Sequence, residues 1–152
     1  MIRSEMKVLS NPFGREPGHA ILEAAFLLPW VLFLFVGAFD FGFYNYALIS
    51  TENAARVAAW YTSQTATTAT DATTACTYAL AELSALPNVG AGMTTCNAAP
   101  VVVTATKVSG VDGLSATQVT VTYTSPQLIP IPGALPGQYT FARTVQMRLV
   151  TQ

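Results

Sequence analysis

The stretch from Ala24 to Phe39, AAFLLPWVLFLFVGAF, carries no charge, and no other feature of the sequence limits the fold so strongly. Extended back to Ala20, it reaches about 20 residues, the length at which one α-helix crosses the hydrocarbon core of a bilayer. A single carboxylate, Glu23, sits near its start, with Ile21 and Leu22 before it and Ala24, Ala25 and Phe26 after it. An acidic side chain costs about 2.5–3.5 kcal/mol near the middle of a spanning helix, and less toward its end. A cost of that kind implies a partner for the charge. Pro29 removes one backbone donor inside the run, which membrane helices tolerate. A cleaved secretory signal is the alternative, since an apolar core of about 7–15 residues suffices for one. This run is longer, and the aromatic-rich DFGFYNYALIS follows where a small-residue cleavage site would stand. A retained membrane helix is the reading adopted.

The rest of the composition agrees. Of the 152 residues, 51% are apolar and 10% are charged, against about 25% charged in soluble domains. The formal net charge is −1 and no basic cluster occurs, which argues against nucleic-acid binding as the main role. Once the span is subtracted, the chain has room for one modest domain. Arg3, Lys7 and Arg15 precede the span, while Asp40, Glu52 and then Arg56 follow it. The positive-inside rule therefore places the N-terminus in the cytoplasm and the bulk of the chain across the membrane. Cys76 and Cys96 both fall on that outer side. In an oxidising space such as the bacterial periplasm a disulfide is expected, closing a loop of about 20 residues and stabilising by roughly 3 kcal/mol. Two unpaired, buried thiols are the alternative.

Three segments follow from the pattern. Residues 1–18, MIRSEMKVLSNPFGREPG, have no amphipathic period and hold Pro12, Gly14, Pro17 and Gly18; they read as a charged leader. Residues 19–63 read as one long helix, membrane-spanning to about residue 40. Beyond the span, Phe41, Tyr44, Leu48, Thr51, Ala55, Ala58 and Thr62 recur at three- and four-residue steps and form one stripe. Such a helix is about 65 Å long at 1.5 Å per residue. Residues 64–152 read as an outer α+β domain. TATTATDATTAC is a loop, or else the start of a threonine-rich disordered linker, against which YALAELSAL argues. Asp71 suits the N-cap of a short helix over 72–86, with Cys76, Ala79, Leu80 and Leu83 on its apolar face. PVVVTATK, TQVTVTYTS and QYTFARTVQMRLV read as three antiparallel strands, the last two alternating cleanly. Arg143 falls on the apolar face with Tyr139, Phe141, Val145, Met147 and Leu149, which marks a sheet edge or a partner. The fold class expected is α+β: a long helix, a short helix and a small three-stranded sheet that buries its apolar face against the outer half of the long helix.

Catalytic patterns are missing from the sequence. The one histidine, His19, adjoins the span. No CxxC, HExxH, GxSxG or phosphate-binding glycine loop occurs. Glu52, Asp71, Glu82 and Asp112 are scattered, and a serine or threonine nucleophile would have no histidine base in the outer domain. The expectation is a protein that is not an enzyme and takes no cofactor, metal, nucleic acid or small-molecule substrate.

The constellation that remains is Gly18, His19 and Glu23: a glycine closing a charged leader, then an apolar helix with glutamate at its fifth position. It resembles the processing site of type IV pilins and pseudopilins. The resemblance implies that a prepilin peptidase cuts after Gly18, that His19 becomes the new N-terminus, and that Glu23 neutralises the terminal amine of a neighbouring subunit during assembly. A closer resemblance covers roughly residues 18–62. Asp40, Phe41 and Gly42 end the apolar run, and Asn53, Ala54, Ala55 and Arg56 follow about ten residues later; this is similar to TadE-like proteins of the tight-adherence (Tad, or Flp) type IV pilus system. It implies a pilin-like minor pilin or pseudopilin in a bacterial inner membrane. Its N-terminus would be cytoplasmic, its outer domain periplasmic, and its partners other pilins and pilus assembly proteins. A structural filament subunit or adhesin, and an unprocessed membrane-anchored binding domain, are the alternatives. Loops such as IPIPGALPG would carry the binding in both.

Overall fold

The structure is a computed structural model that describes residues 17–90, 92–130, 133 and 137–150. Residues 1–16 of the expected leader, and 131, 132 and 134–136 of the proline-rich loop, lie outside the described residues. The elements in order are helix α1 (Pro17–Thr62), a 3-10 turn (Thr68–Thr70), helix α2 (Ala72–Leu83), and strands β1 (Asn97–Ala98), β2 (Val101–Ser109), β3 (Ser115–Thr124) and β4 (Thr140–Arg148). The fold class is α+β, and the chain divides into two compact units, one ending at Gly37 and the other beginning at Ala38.

In the first unit α1 passes through Pro29 without ending. Ile21, Phe26, Trp30, Leu34 and Phe35 are all exposed, so the helix is apolar on every face and buries none of them. A helix of that kind needs lipid or other helices around it. It is long and apolar enough to cross a membrane.

The second unit is built on the sheet, whose order is β1-β2-β3-β4 with every pair antiparallel. The three strands expected from β-branched alternation are present, and a fourth joins them. Strand β1 pairs Asn97 with Val102 and Ala98 with Val101. A two-residue strand has no period to read, so the sheet is four-stranded where three strands were expected. On β3, Val119, Val121 and Tyr123 face the core, and Thr120, Thr122 and Thr124 face away, as the alternation requires.

Against the valine face of the sheet lie Ala47, Ala54, Ala55, Ala58 and Ala59 of α1, with Ala75, Cys76, Ala79 and Leu83 of α2. Tyr44, Thr51, Ala55, Ala58 and Thr62 of the expected stripe are buried, but Leu48 is half-buried and Phe41 is 69% exposed. The buried face is set by small side chains at Ala47, Ala54 and Ala59. Alanine lets a helix backbone approach the sheet, which a phenylalanine at position 41 cannot match. Helix α2 stops at Leu83, short of the expected residue 86, and Asp71 caps it by accepting the Thr74 backbone N–H at 3.0 Å. That bond holds the Asp71 carboxyl below its ordinary range. Between the helices, in the stretch expected to be loop, the 3-10 turn buries Ala69. The Thr117 hydroxyl on β3 donates at 3.0 Å to the Ala69 carbonyl, and it lies at the same distance from the Thr62 hydroxyl. Those bonds fix the end of α1 on the sheet. Tyr123 is fully buried and its hydroxyl donates to the Asn88 side chain; burial pushes it up to about 12.

Cys76 on α2 and Cys96 ahead of β1 are joined as a disulfide. Titration of the denatured, non-reduced protein should therefore find no free thiol. Replacing both cysteines with serine should lower unfolding stability by about 2–4 kcal/mol; an unchanged denaturation midpoint would show that the crosslink does not constrain the unfolded chain.

Candidate assembly site on the long helix

Helix α1 carries nearly all the residues singled out by sequence, in three different environments. Gly18 and His19 lie in its first turn and His19 is exposed. Glu23 is exposed one turn later, among exposed apolar neighbours. No hydrogen bond or ion pair joins it to another described residue. Glu23 is also the sole charged position between His19 and Asp40.

Asp40 begins the second environment. It is 1% exposed, and its Oδ2 has no hydrogen-bond partner among the described residues. Tyr44, one turn on and on the same face, is buried, and its hydroxyl likewise has no partner among the described residues. Its ring packs edge-on against Tyr139 at 4.6 Å and lies 6.1 Å from Phe141, both brought there by the β4 end of the chain. Burial first, and then the Asp40 charge, raise the Tyr44 hydroxyl above its ordinary value. Ala54 and Ala55 are fully buried in the same interface.

The third environment is the outward face. Phe41, Gly42, Asn53 and Arg56 are exposed there. The motif residues are thus not gathered into one site: Asp40, Ala54 and Ala55 turn toward the sheet, and Phe41, Gly42, Asn53 and Arg56 turn away. Arg56 pairs with Glu52 one turn back, and the other oxygen of Glu52 lies 3.8 Å from Nε of Arg143. Arg143 stands on β4, an edge strand. Its place on the apolar face of β4 therefore has both causes considered from sequence: it lies at an edge and it has a partner. Sequence reasoning assigned Glu52 no role, because an i,i+4 spacing to Arg56 identifies half of the contact while Arg143 lies far along the chain.

A buried carboxylate oxygen without a donor costs about 1–3 kcal/mol relative to a satisfied one. Asp40→Asn keeps the shape and removes the buried charge. It should raise the thermal midpoint of the detergent-solubilised protein; a fall would mean that the carboxylate has a charged partner in the folded protein.

Comparison with curated proteins and with solved structures found no match to either. The family model described as TadE-like protein matches residues 18–60, which is α1 from its second residue almost to its end. Over that segment, which is less than a third of the chain, the protein is similar to TadE-like proteins.

Proposed function

We propose that this protein is a minor pilin or pseudopilin that takes part in assembling a tight-adherence type IV pilus, with a structural and non-catalytic role. The observation that carries the reading is α1 in the first unit: exposed on every side, apolar throughout, and interrupted by one carboxylate. The span anchors the chain in the inner membrane with the N-terminus in the cytoplasm. The unit that carries the disulfide then lies in the oxidising periplasm, where such a bond persists.

Processing supplies the partner that Glu23 needs. A prepilin peptidase cutting between Gly18 and His19 leaves an ammonium at His19, and a neighbouring subunit's Glu23 neutralises it as the helices pack. In a medium of low dielectric the two charges are each costly alone and compensated together. The outer unit contributes protein contacts with other pilins and assembly proteins.

Two measurements test this. Intact mass of the protein purified from membranes that contain the peptidase should lack residues 1–18; a mass that retains Met1 would sink the cleavage. Glu23→Ala should insert and fold normally, since losing a charge makes the span more apolar. Its assembly should fail, because the amine of the mature terminus then stays buried and unpaired at a cost of about 3–5 kcal/mol. Surface pili and crosslinks to pilus partners at wild-type levels in Glu23→Ala would instead mean that the carboxylate reaches water at headgroup level.

A further inference from the structure

Strand β4 runs along α1, and three contacts within the second unit fix its direction. The ring of Tyr139, just ahead of the strand, lies 4.6 Å from that of Tyr44. Nε of Arg143 lies 3.8 Å from Glu52, and the Val150 backbone N–H donates to the Ser63 carbonyl at 2.8 Å. Passing back along β4 is therefore passing down α1, toward the uncharged run that stops at Phe39. The scales agree. From Tyr139 to Arg143 is about 13 Å of strand at 3.3 Å per residue, and from Tyr44 to Glu52 is about 12 Å of helix at 1.5 Å per residue. The loop between β3 and β4 consequently leaves the sheet at the end where that run stops.

The described part of this loop is held in shape at its base. The Ser125 N–H donates to the Tyr139 carbonyl at 2.8 Å, and the Leu128 N–H to the Gly137 carbonyl at 2.7 Å. Gln138 Nε2 donates to the Ser125 carbonyl at 3.0 Å. Gly137 has a φ of +83°, and a Cβ there would come within 3.2 Å of the Pro130 Cβ and 3.3 Å of the Leu128 oxygen, so only glycine suits the point where the two arms meet. Gly137 is two residues beyond Tyr139, about 7 Å further along, which brings Leu128 to the level of Asp40. Past it, Ile129 is 58% exposed and Pro130 is exposed too. No charged side chain occurs between Asp112 and Arg143. Pro126 and Pro130 have no N–H, so this arm has fewer backbone donors that need water. On the helix near the same level, Phe39 and Phe41 are 63% and 69% exposed, and aromatic rings collect where a bilayer meets water.

We infer that Leu128, Ile129 and Pro130 form a second contact with the bilayer that α1 crosses, an uncharged foot resting where headgroups meet acyl chains. The inference rests on the reading of α1 as a membrane span and goes beyond it, since a span needs no such foot. Position selects lipid as the occupant: the exposed apolar tip lies level with the end of the uncharged run, where the bilayer surface falls if that run crosses it. A foot with neither acid nor base takes its energy from apolar burial and not from anionic headgroups. Two points of contact, a helix and a loop, restrain the tilt of the outer unit on the membrane, which a single helix leaves free.

The test uses the full chain in vesicles of phosphatidylcholine brominated along its acyl chains, with a fluorescent coumarin amino acid at one position at a time. At Leu32, within the span, bromine should quench the probe. At Gln127, beside the foot and replacing none of its residues, quenching should be about threefold stronger than at Val111, in the turn between β2 and β3 at the opposite end of the sheet. Ile129→Asp should lower the Gln127 quenching to the Val111 level while circular dichroism and the disulfide stay unchanged. Adding phosphatidylglycerol should not alter the Gln127 signal. Quenching at Leu32 with none at Gln127 would overturn this inference alone, and no quenching at Leu32 would overturn the span as well. Equal quenching at Gln127 and Val111, a Gln127 signal untouched by Ile129→Asp, or one that needs phosphatidylglycerol would also overturn it. So would shielding of Gln127 from aqueous iodide that grows with the protein-to-lipid ratio without bromine quenching, because the foot would then rest on a second copy of the chain.

Discussion

The rest of the outer unit depends on one packing contact, the alanine face of α1 against the valine face of the sheet. Ala54, Ala55, Ala58 and Ala59 are fully buried, and so are Val101, Val119 and Val121. A four-stranded antiparallel sheet has one face to hide, and α2 alone is too short to cover it. The small side chains of α1 make up the difference by letting its backbone lie close. They also forgo the large transfer energy that leucine or phenylalanine would bring, since each buried CH₂ contributes about 0.8 kcal/mol. Specific polar contacts supplement the modest apolar gain: Thr117 with Thr62 and Ala69, the Tyr123–Asn88 pair, and the Cys76–Cys96 disulfide. Each ties a helix, the connection between the helices, or the loop after α2 to the sheet.

This economy explains why the large apolar side chains of α1 are found elsewhere. The residues that a conventional core would use, Phe26, Trp30, Phe35, Phe41, Ile49 and Trp60, are all exposed. In the first unit the helix is long and apolar enough to cross a membrane, and apolar exposure has no cost in lipid or among other helices. In the second unit it does have a cost, and Ile49 and Trp60 bear it in line with Arg56. The charges are placed with the same consistency. Glu52 stands between two guanidiniums, and Arg148 lies 3.6 Å from Asp112, so the arginines of the β4 edge strand face carboxylates. Charge on an edge strand discourages another strand from pairing there.

Much of this was legible in the sequence because it rests on period and composition. The uncharged run from Ala24 marked the span. The threonine–valine alternation of β3 identified its core face residue by residue, and Asp71 was recognisable as a cap because its side chain needs no distant partner. What was not legible depends on the third dimension. Strand β1 exists because Val101 and Val102 offer it a ladder; Asn97 and Ala98 carry no strand signal of their own. Phe41 looked like part of the buried stripe because its spacing fits. Ala47, Ala54 and Ala59 won that place through size, which periodicity does not weigh. Asp40 closes an apolar run in the sequence, and nothing in that spacing reveals that it is buried one turn from Tyr44 and its aromatic neighbours.

The division of the TadE-like segment between inward and outward residues bears on how such a helix can serve assembly. Residues that pack on the chain's own sheet set the rotation of α1 about its axis, and Ala54 and Ala55, fully buried, hold that rotation to one value. Once the rotation is set, Asn53 and Arg56 are carried to the opposite face by the 3.6-residue period alone. A change of one residue in the length of the segment would turn the outward face by about 100° and present Ala55 or Val57 in place of Arg56. The alanines therefore do two things with one set of contacts: they close the core of the outer unit, and they aim the outward face. Any partner that docks on the outward face needs that aim fixed, because a rotation of α1 would carry the exposed side chains away from it.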